Sequence, residues 1–252
     1  MKTIKTAFFL LAATSAIALA PLAQSATLVG LWTFDDTLDD QSGNGNNGTA
    51  IGATPPSFET DVPAIVGSGK SLKFNGSDQG VGILGAASLN SNASSLTYWV
   101  NPLDAVQSGG FERLSSRGGD TFETALSTSN NLSYFSPGPG WITISSTSVP
   151  ADAWTHVAWV NSGIGATDME LFVNGESVFT GPGISDTNPQ GLMNLAIRHN
   201  GVEGYQGLMD DVRLYSGALT VGEVKALAVP EPSASLLALM GVLLFFFNRR
   251  RR

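Results

Sequence analysis

Two adjacent carboxylate pairs, Asp35-Asp36 and Asp210-Asp211, stand near opposite ends of the chain's central body. Brought together by folding, they would supply hard oxygen donors of the kind that calcium accepts in flexible geometry. Kept apart, they are solvated turn residues. A second set of side chains suits sugar. Tyr134, Phe135 and Trp141 flank Pro137-Gly138-Pro139-Gly140, and Arg198, His199, Asn200 and Tyr205 fall in a later loop. Aromatic faces with a few polar groups in a shallow groove hold carbohydrate. The same large rings, Trp141 and Tyr134 above all, also serve as plugs at the end of a small core. Hydrolytic chemistry is thinly represented. Asp168-Met169-Glu170 is a lone alternating carboxylate pair, and His156 and His199 are the only histidines, too few for a His-rich metal site. There is no nucleophile-elbow motif.

Composition narrows the partners. Of 13 basic residues, six (Lys2, Lys5 and Arg249 to Arg252) lie in the terminal segments, as does Glu231 of the 21 acidic ones. The body between keeps 7 basic against 20 acidic side chains, a net charge of about −13 that would repel nucleic acid phosphates. Such a surface is compatible with divalent cations and with neutral or calcium-bridged polysaccharide. No cysteine is present, so the fold rests on its core without disulfides or thiolate metal sites. A body of about 200 residues is long enough for that as one domain.

Short strands joined by turns must position these residues. Leu31 to Phe34 reads as a strand ending at Asp35-Asp36, followed by the polar loop Asp39 to Thr49. Lys70 to Phe74 alternates, Asn75-Gly76-Ser77 turns, and Val81 and Ile83 continue beyond. Leu96 to Val100 is closed by Pro102, while Trp154 to Val160 is β-prone with two apolar faces. Asn174-Gly175, between Leu171-Phe172-Val173 and Glu176 to Thr180, is the signal of a type I′ hairpin. Leu208 to Tyr215 forms the last strand, with alternation placing Asp210 on the face of Val212 and Leu214 and turning Asp211 toward Arg213 or water. Thr220 and Glu223 then have capping-box spacing for a short helix. The segment Ala105 to Pro150 gives the weakest strand signals.

Both ends read as addresses. Lys2 and Lys5 precede the apolar stretch Ala7 to Ala20, as in a secretory signal peptide, with Ala23-Gln24-Ser25 as the favoured cleavage tripeptide. At the other end Pro230-Glu231-Pro232 precedes an apolar run, Ala234 to Phe247, and then Arg249, Arg250 and two further arginines. The prolines hold the junction extended, the run prefers lipid and the arginines prefer the cytoplasmic face. Fourteen residues span roughly 21 Å as a helix, short of a hydrocarbon core of about 30 Å. This ordered triplet resembles the PEP-CTERM sorting signal of Gram-negative bacteria that make exopolysaccharide. The resemblance implies export, recognition by an exosortase-type membrane protease, transient membrane residence through the C-terminal helix, and delivery to the cell surface or matrix.

The order of the body's motifs carries a second resemblance. Gly30-Leu-Trp-Thr-Phe-Asp35, Gly69-Lys-Ser-Leu-Lys-Phe-Asn-Gly76, Leu96-Thr-Tyr-Trp-Val100, Trp154-Thr-His-Val-Ala158, Leu171-Phe-Val-Asn-Gly175 and Gly207-Leu-Met-Asp-Asp-Val-Arg-Leu-Tyr215 follow one another. Together they resemble a laminin-G-like, concanavalin A-like domain. That implies an all-β antiparallel sandwich jelly roll over residues 26–228, between a signal peptide (1–25) and a sorting tail (229–252) with its short hydrophobic helix. In such jelly rolls the first and last strands are neighbours, so Asp35 and Asp36 should approach Asp210 and Asp211. The resemblance also implies a structural calcium near that junction, with Asp210 and Asp35 as the foremost ligands. Glucanases of this kind carry a Glu-x-Asp-x-x-Glu strand, which this sequence lacks. The expectation is a noncatalytic exported module associated with exopolysaccharide or a surface glycan; the alternatives are a structural matrix protein and a glycan-cleaving enzyme.

Overall fold

The computed structural model describes residues 26–84, 93–106, 110–117, 122–184 and 193–229. Its early strands are β1 (Thr27–Trp32), β2 (Gly48–Ile51), β3 (Ser57–Glu59), β4 (Ser71–Asn75) and β5 (Gly80–Ile83). Then come β6 (Ser94–Pro102), β7 (Phe111–Arg117), β8 (Glu123–Ser127), β9 (Asn131–Ser136) and β10 (Gly140–Ser148). The last are β11 (Thr155–Asn161), β12 (Met169–Val173), β13 (Glu176–Gly181), β14 (Met193–Leu195) and β15 (Gln206–Ser216), before helix α1 (Val221–Ala228). The poorly patterned stretch 105–150 therefore supplies four strands of one sheet.

These strands make two antiparallel sheets. One has eight strands in the order β13-β12-β11-β6-β15-β4-β3, with β1 also on β15; the other runs β10-β9-β8-β7-β14-β5-β2. The apolar core lies between them. Trp32, Leu72, Phe74, Trp159 and Met209 of the first sheet meet Leu114, Leu126, Leu132 and Leu195 of the second. A polar thread crosses this core with its hydrogen bonds satisfied, as burial demands. The Trp159 indole donates to Tyr98 Oη at 2.8 Å, which lies 3.0 Å from Thr124 Oγ1, itself 2.8 Å from Ser115 Oγ.

Local chemistry explains the connections. Asn174 and Gly175 take φ of 49° and 82°, as a type I′ turn requires. Thr220 accepts the Glu223 N–H while the Glu223 carboxylate accepts the Thr220 N–H, so the capping box forms and starts α1. The helix also accounts for the two apolar faces of β11. Val157 and Trp159 enter the core, whereas Ala158 and Val160 lie with Leu219 and Val224 in a second apolar cluster outside the sheet. The Gly/Asn loop after β1 folds around one carboxylate. Asp40 accepts the N–H groups of Leu31, Ser42 and Asn46 at 2.8–2.9 Å, and the Asn46 side chain donates to Val29 O. Burial alone would raise the Asp40 pKa, but the Ser42 hydrogen bonds and the other N–H donors hold it below its ordinary value.

Strand β15 is the axis of its sheet. One edge follows β6; the other pairs with β4 over Gln206–Met209 and then with β1 over Val212–Ser216. At the changeover the register slips, and Asp211 adopts φ of 45°. This extra residue is a β-bulge. It corrects the simple alternation expected for this strand. Met209 and Val212 both face the core, so Asp210 lies on the outer face beside its cross-strand partner Trp99 instead of sharing a side with Val212 and Leu214.

Candidate functional site

Of the four aspartates, Asp35 and Asp211 lie near enough to Asp210 to act on its charge, whereas Asp36 is engaged elsewhere. Asp211 is taken by Arg213, with Nε and Nη2 both 3.0 Å from Oδ1. Asp36 is exposed and pairs with Lys70 at 3.6 Å. Asp35 accepts the Lys70 N–H at 2.8 Å. Gly69 permits that approach: its φ is +127°, and a Cβ there would fall 2.1 Å from Asp35 Oδ1. Asp210 has no solvent exposure, its Oδ1 accepts the Asp211 N–H at 2.6 Å, and its Oδ2 has no hydrogen-bond partner. Burial, reinforced by the nearby charges of Asp211 and Asp35, pushes the Asp210 carboxyl up to about 8. An orphaned carboxylate oxygen beside a second carboxylate fits a hard cation, with Asp210 and Asp35 as the carboxylates left to hold it. No group of three or more acidic or histidine side chains suited to a metal occurs among the described residues.

A different cluster forms on the outer face of the seven-stranded sheet. Strands β7 and β10 are separated by β8 and β9, hence by about 14 Å at ordinary strand spacing. Yet the rings of Phe111 on β7 and Trp141 on β10 lie 5.0 Å apart, and the Arg113 guanidinium sits 4.2 Å over the Trp141 ring. These side chains meet across Ala125, the cross-strand partner of Arg113, and Ser133, the partner of Ala125 on β9, both small and without exposure. Phe135 joins Trp141 at 5.7 Å. Guanidinium over indole is a favourable cation–π contact.

Arg113 also ties this platform to the later loop. Its Nη2 is 2.5 Å from Glu203 Oε2 and its Nη1 is 3.8 Å from Glu123 Oε2, while Arg198 reaches Glu203 at 3.9 Å. Glu123 is held further by the Ser116 hydroxyl at 2.8 Å and by His199 Nδ1 at 3.5 Å. Arg113 is 2% exposed, and its Nε and Nη1 lack hydrogen-bond partners. Burial lowers its pKa, and the charges of Glu123 and Glu203 oppose that shift. Beside the cluster the hydroxyls of Ser127, Ser133 and Thr143 stand in a row with 3.0 Å steps.

The expected sugar contacts are thus redistributed. Trp141 stands half-buried on the platform, and Arg198 is joined to it through Glu203 and Arg113. Asn200 is exposed in the turn of the same loop. Tyr134 and Tyr205 are corrections to a groove reading, because neither is exposed at all. Tyr134 packs on Trp159 and Phe179 and donates to Pro182 O at 2.9 Å, the plug its ring size suggested. Tyr205 lies against Phe74 and donates to Leu208 O at 3.2 Å. Arg113, Glu123 and Glu203 escaped the sequence reading. Their signal was an arginine among small residues in Glu112-Arg-Leu-Ser-Ser-Arg117, in a body with only seven basic side chains. The sorting residues Pro230, Glu231, Pro232, Arg249 and Arg250 lie outside the described residues, as does the stretch 1–25 expected to be a signal peptide. Among the described residues no helix is long and apolar enough to cross a membrane.

Two packed antiparallel sheets with an aromatic and arginine cluster on one outer face define a lectin-like β-sandwich. The chain belongs to the Concanavalin A-like lectin/glucanases superfamily, whose family model matches residues 75–225. Residues 228–252 match the PEP-CTERM protein-sorting motif, so this is an exported protein processed at the membrane by an exosortase. No curated protein matches the chain in sequence. Among solved structures, domain 4 of AbnA, a GH43 extracellular arabinanase from Geobacillus stearothermophilus solved with arabinotriose, is 22% identical, with a TM-score of 0.66 over 82% of this chain and all of that one. The binding domain of Paraclostridial Mosquitocidal Protein 1 is 18% identical, with a TM-score of 0.62 over 80% of this chain and 51% of that one. The binding domain of botulinum neurotoxin serotype D is 14% identical, with a TM-score of 0.55 over 80% and 51%. At these identities the likeness concerns the fold.

Proposed function

We propose that this exported protein is a noncatalytic, glycan-associated component of the cell surface or extracellular matrix, binding through the outer face of its seven-stranded sheet. The carrying observation is the joining of Trp141 to the 198–205 loop through Arg113. A sugar ring needs an aromatic face for its C–H groups and fixed polar groups for its hydroxyls. Half-buried Trp141, Phe111 and Phe135 offer the first; the exposed Thr143 and Asn200 and the partly exposed Arg198 offer the second. The arabinotriose held by the arabinanase domain supports a short stretch of neutral polysaccharide as the ligand class.

Binding is favoured over cleavage by the state of the carboxylates. A glycosidase needs one carboxyl kept as a proton donor opposite a second carboxylate. Glu123 and Glu203 instead share Arg113, and Glu123 also accepts from Ser116. In the same reading calcium is a structural ion at Asp210 and Asp35, supplying the positive charge their proximity calls for. The test is a glycan array probed with the full chain, its Trp141→Ala variant, and the full chain in chelator. Binding to a neutral polysaccharide should be lost in the variant and weakened little by chelator. Binding unchanged by Trp141→Ala refutes the site; no binding to any glycan leaves a structural matrix protein.

A further inference from the structure

Five Asn-Gly steps occur in the chain, at Asn44, Asn47, Asn75, Asn174 and Asn200. Each carries a latent reaction: with no Cβ on the glycine, its backbone nitrogen can reach the carboxamide carbon of the preceding asparagine. The fold restrains four of them by tying the side chain. The Asn44 amide donates to Leu28 O, Val29 O and Ser42 Oγ at 3.0–3.2 Å. Asn47 Oδ1 accepts the Asp40 N–H at 3.0 Å. Asn75 accepts the Ser77 N–H and donates to Asp78, both at 2.9 Å, and Asn174 accepts the His156 N–H at 2.9 Å. Three of the four glycines are crowded as well. A Cβ on Gly48, Gly76 or Gly175 would fall 2.6–3.2 Å from Val81, Gln206 or Ala228 respectively.

Asn200-Gly201 differs on both counts. Among the described residues nothing hydrogen-bonds the Asn200 side chain, which is exposed. A Cβ on Gly201 would meet nothing within 4 Å. The step sits at the tip of a tight turn closed by two backbone bonds, Gly201 N–H to Arg198 O at 2.9 Å and Arg198 N–H to Val202 O at 3.0 Å. The feet of the loop, Ala196 and Glu203, hold φ of 62° and 57°, a strained region for residues with a Cβ. Exposed backbone bonds above strained feet open more readily than a core ladder, and opening frees the Gly201 nitrogen.

We infer that Asn200-Gly201 is a self-modification site, where the chain with water alone converts Asn200 to aspartate or isoaspartate. The Gly201 nitrogen, its proton taken by hydroxide or buffer base, bonds to Asn200 Cγ; the Cγ–Nδ2 bond breaks and ammonia leaves. The cyclic imide then adds one water, which opens the ring at either carbonyl and leaves one carboxyl group. The new negative charge stands in the turn that carries Arg198 and His199. A consequence for binding rests on the Trp141 platform being the glycan face: the product loses the Asn200 amide donor there and binds glycan more weakly.

The test is peptide mapping by mass spectrometry of the full chain held folded at mildly alkaline pH, with an isoaspartate methyltransferase assay alongside. Each hydrogen bond that must first break slows the step by roughly fivefold, so Asn200 should convert at least that much faster than the other four. In urea the five rates should converge, because the fold makes the selection. Asn200→Gln should remove the methyltransferase signal of the folded chain. Glycan binding should fall in the aged wild type and in Asn200→Asp, and persist in aged Asn200→Gln. The site is overturned if another of the five converts first in the folded chain, or if Asn200 converts only in urea. Its effect on binding is overturned if Asn200→Asp binds as the wild type does. A fresh wild type that binds no glycan refutes the platform instead, and the mapping then decides the modification by itself.

Discussion

Asp210 makes the sharpest prediction. Its carboxyl titrates at about 8 in the folded chain against 3.8 as the ordinary value, chiefly because it is buried. A raised folded pKa means that the folded state holds a proton that the unfolded state releases. The stability associated with Asp210 is therefore full below about pH 4 and is lost as pH rises toward 8. At roughly 1.4 kcal/mol per unit, the loss between pH 5 and pH 8 comes to roughly 4 kcal/mol. The perturbation is Asp210→Asn, which keeps the shape and removes the titration. The assay is urea unfolding in chelator across that range, for wild type and variant in parallel. The wild type should lose stability relative to the variant by this amount. Added calcium should flatten the wild-type slope if the ion replaces the proton, and should leave the variant unmoved. Parallel pH slopes for the two proteins in chelator would refute the burial of an unpaired carboxyl at the bulge.

Three further outcomes follow from single features. Gly69→Ala places a methyl group against Asp35 in a region of φ that L-residues avoid, and should cost roughly 1–3 kcal/mol in chemical denaturation. His156 is pulled down to about 3 by burial and, secondarily, by Arg213, so its contribution is present above pH 6.5 and is lost as pH falls toward 3. His156→Gln should accordingly lose less stability than wild type over that acid range. Thr220→Ala removes the capping box and should cost about 1 kcal/mol, with amide exchange rising first in α1.

The architecture was readable because local rules and global fold agree. Asn174-Gly175 accepts positive φ at both positions, and Thr220 with Glu223 caps the helix that follows. Tyr134 was interpretable as a core plug from its ring size, and it shares the inward face of β9 with Leu132. The bulge was not readable. Leu208 to Tyr215 alternates plausibly without an extra residue, and Asp at either position 210 or 211 tolerates left-handed backbone. Only the fork in β15, where β4 gives way to β1, decides which aspartate leaves the ladder. The aromatic platform was hidden for another reason. Arg113 and Trp141 meet over two intervening strands, a contact that depends on the reach of both side chains and on the small size of Ala125 and Ser133.

That platform also shows what the molecule gives up for it. With seven basic side chains available, the chain buries Arg113 to 2% exposure and Arg117 to 4%, where burial pulls the Arg117 pKa down to about 10. Buried ion pairs are commonly matched or exceeded in stability by apolar residues of similar volume, whereas removing one partner alone costs about 3–5 kcal/mol. Two variants therefore separate folding from recognition. Arg113→Ala removes the buried counter-charge of Glu123 and Glu203 and should destabilise by that amount. Arg113→Met combined with Glu123→Leu and Glu203→Gln removes the charges together and should unfold close to wild type. If the arginine is kept for recognition, the triple variant should be stable yet fail to bind glycan. A triple variant that retains glycan binding would show that Arg113 serves packing alone, and would move the binding face away from this sheet.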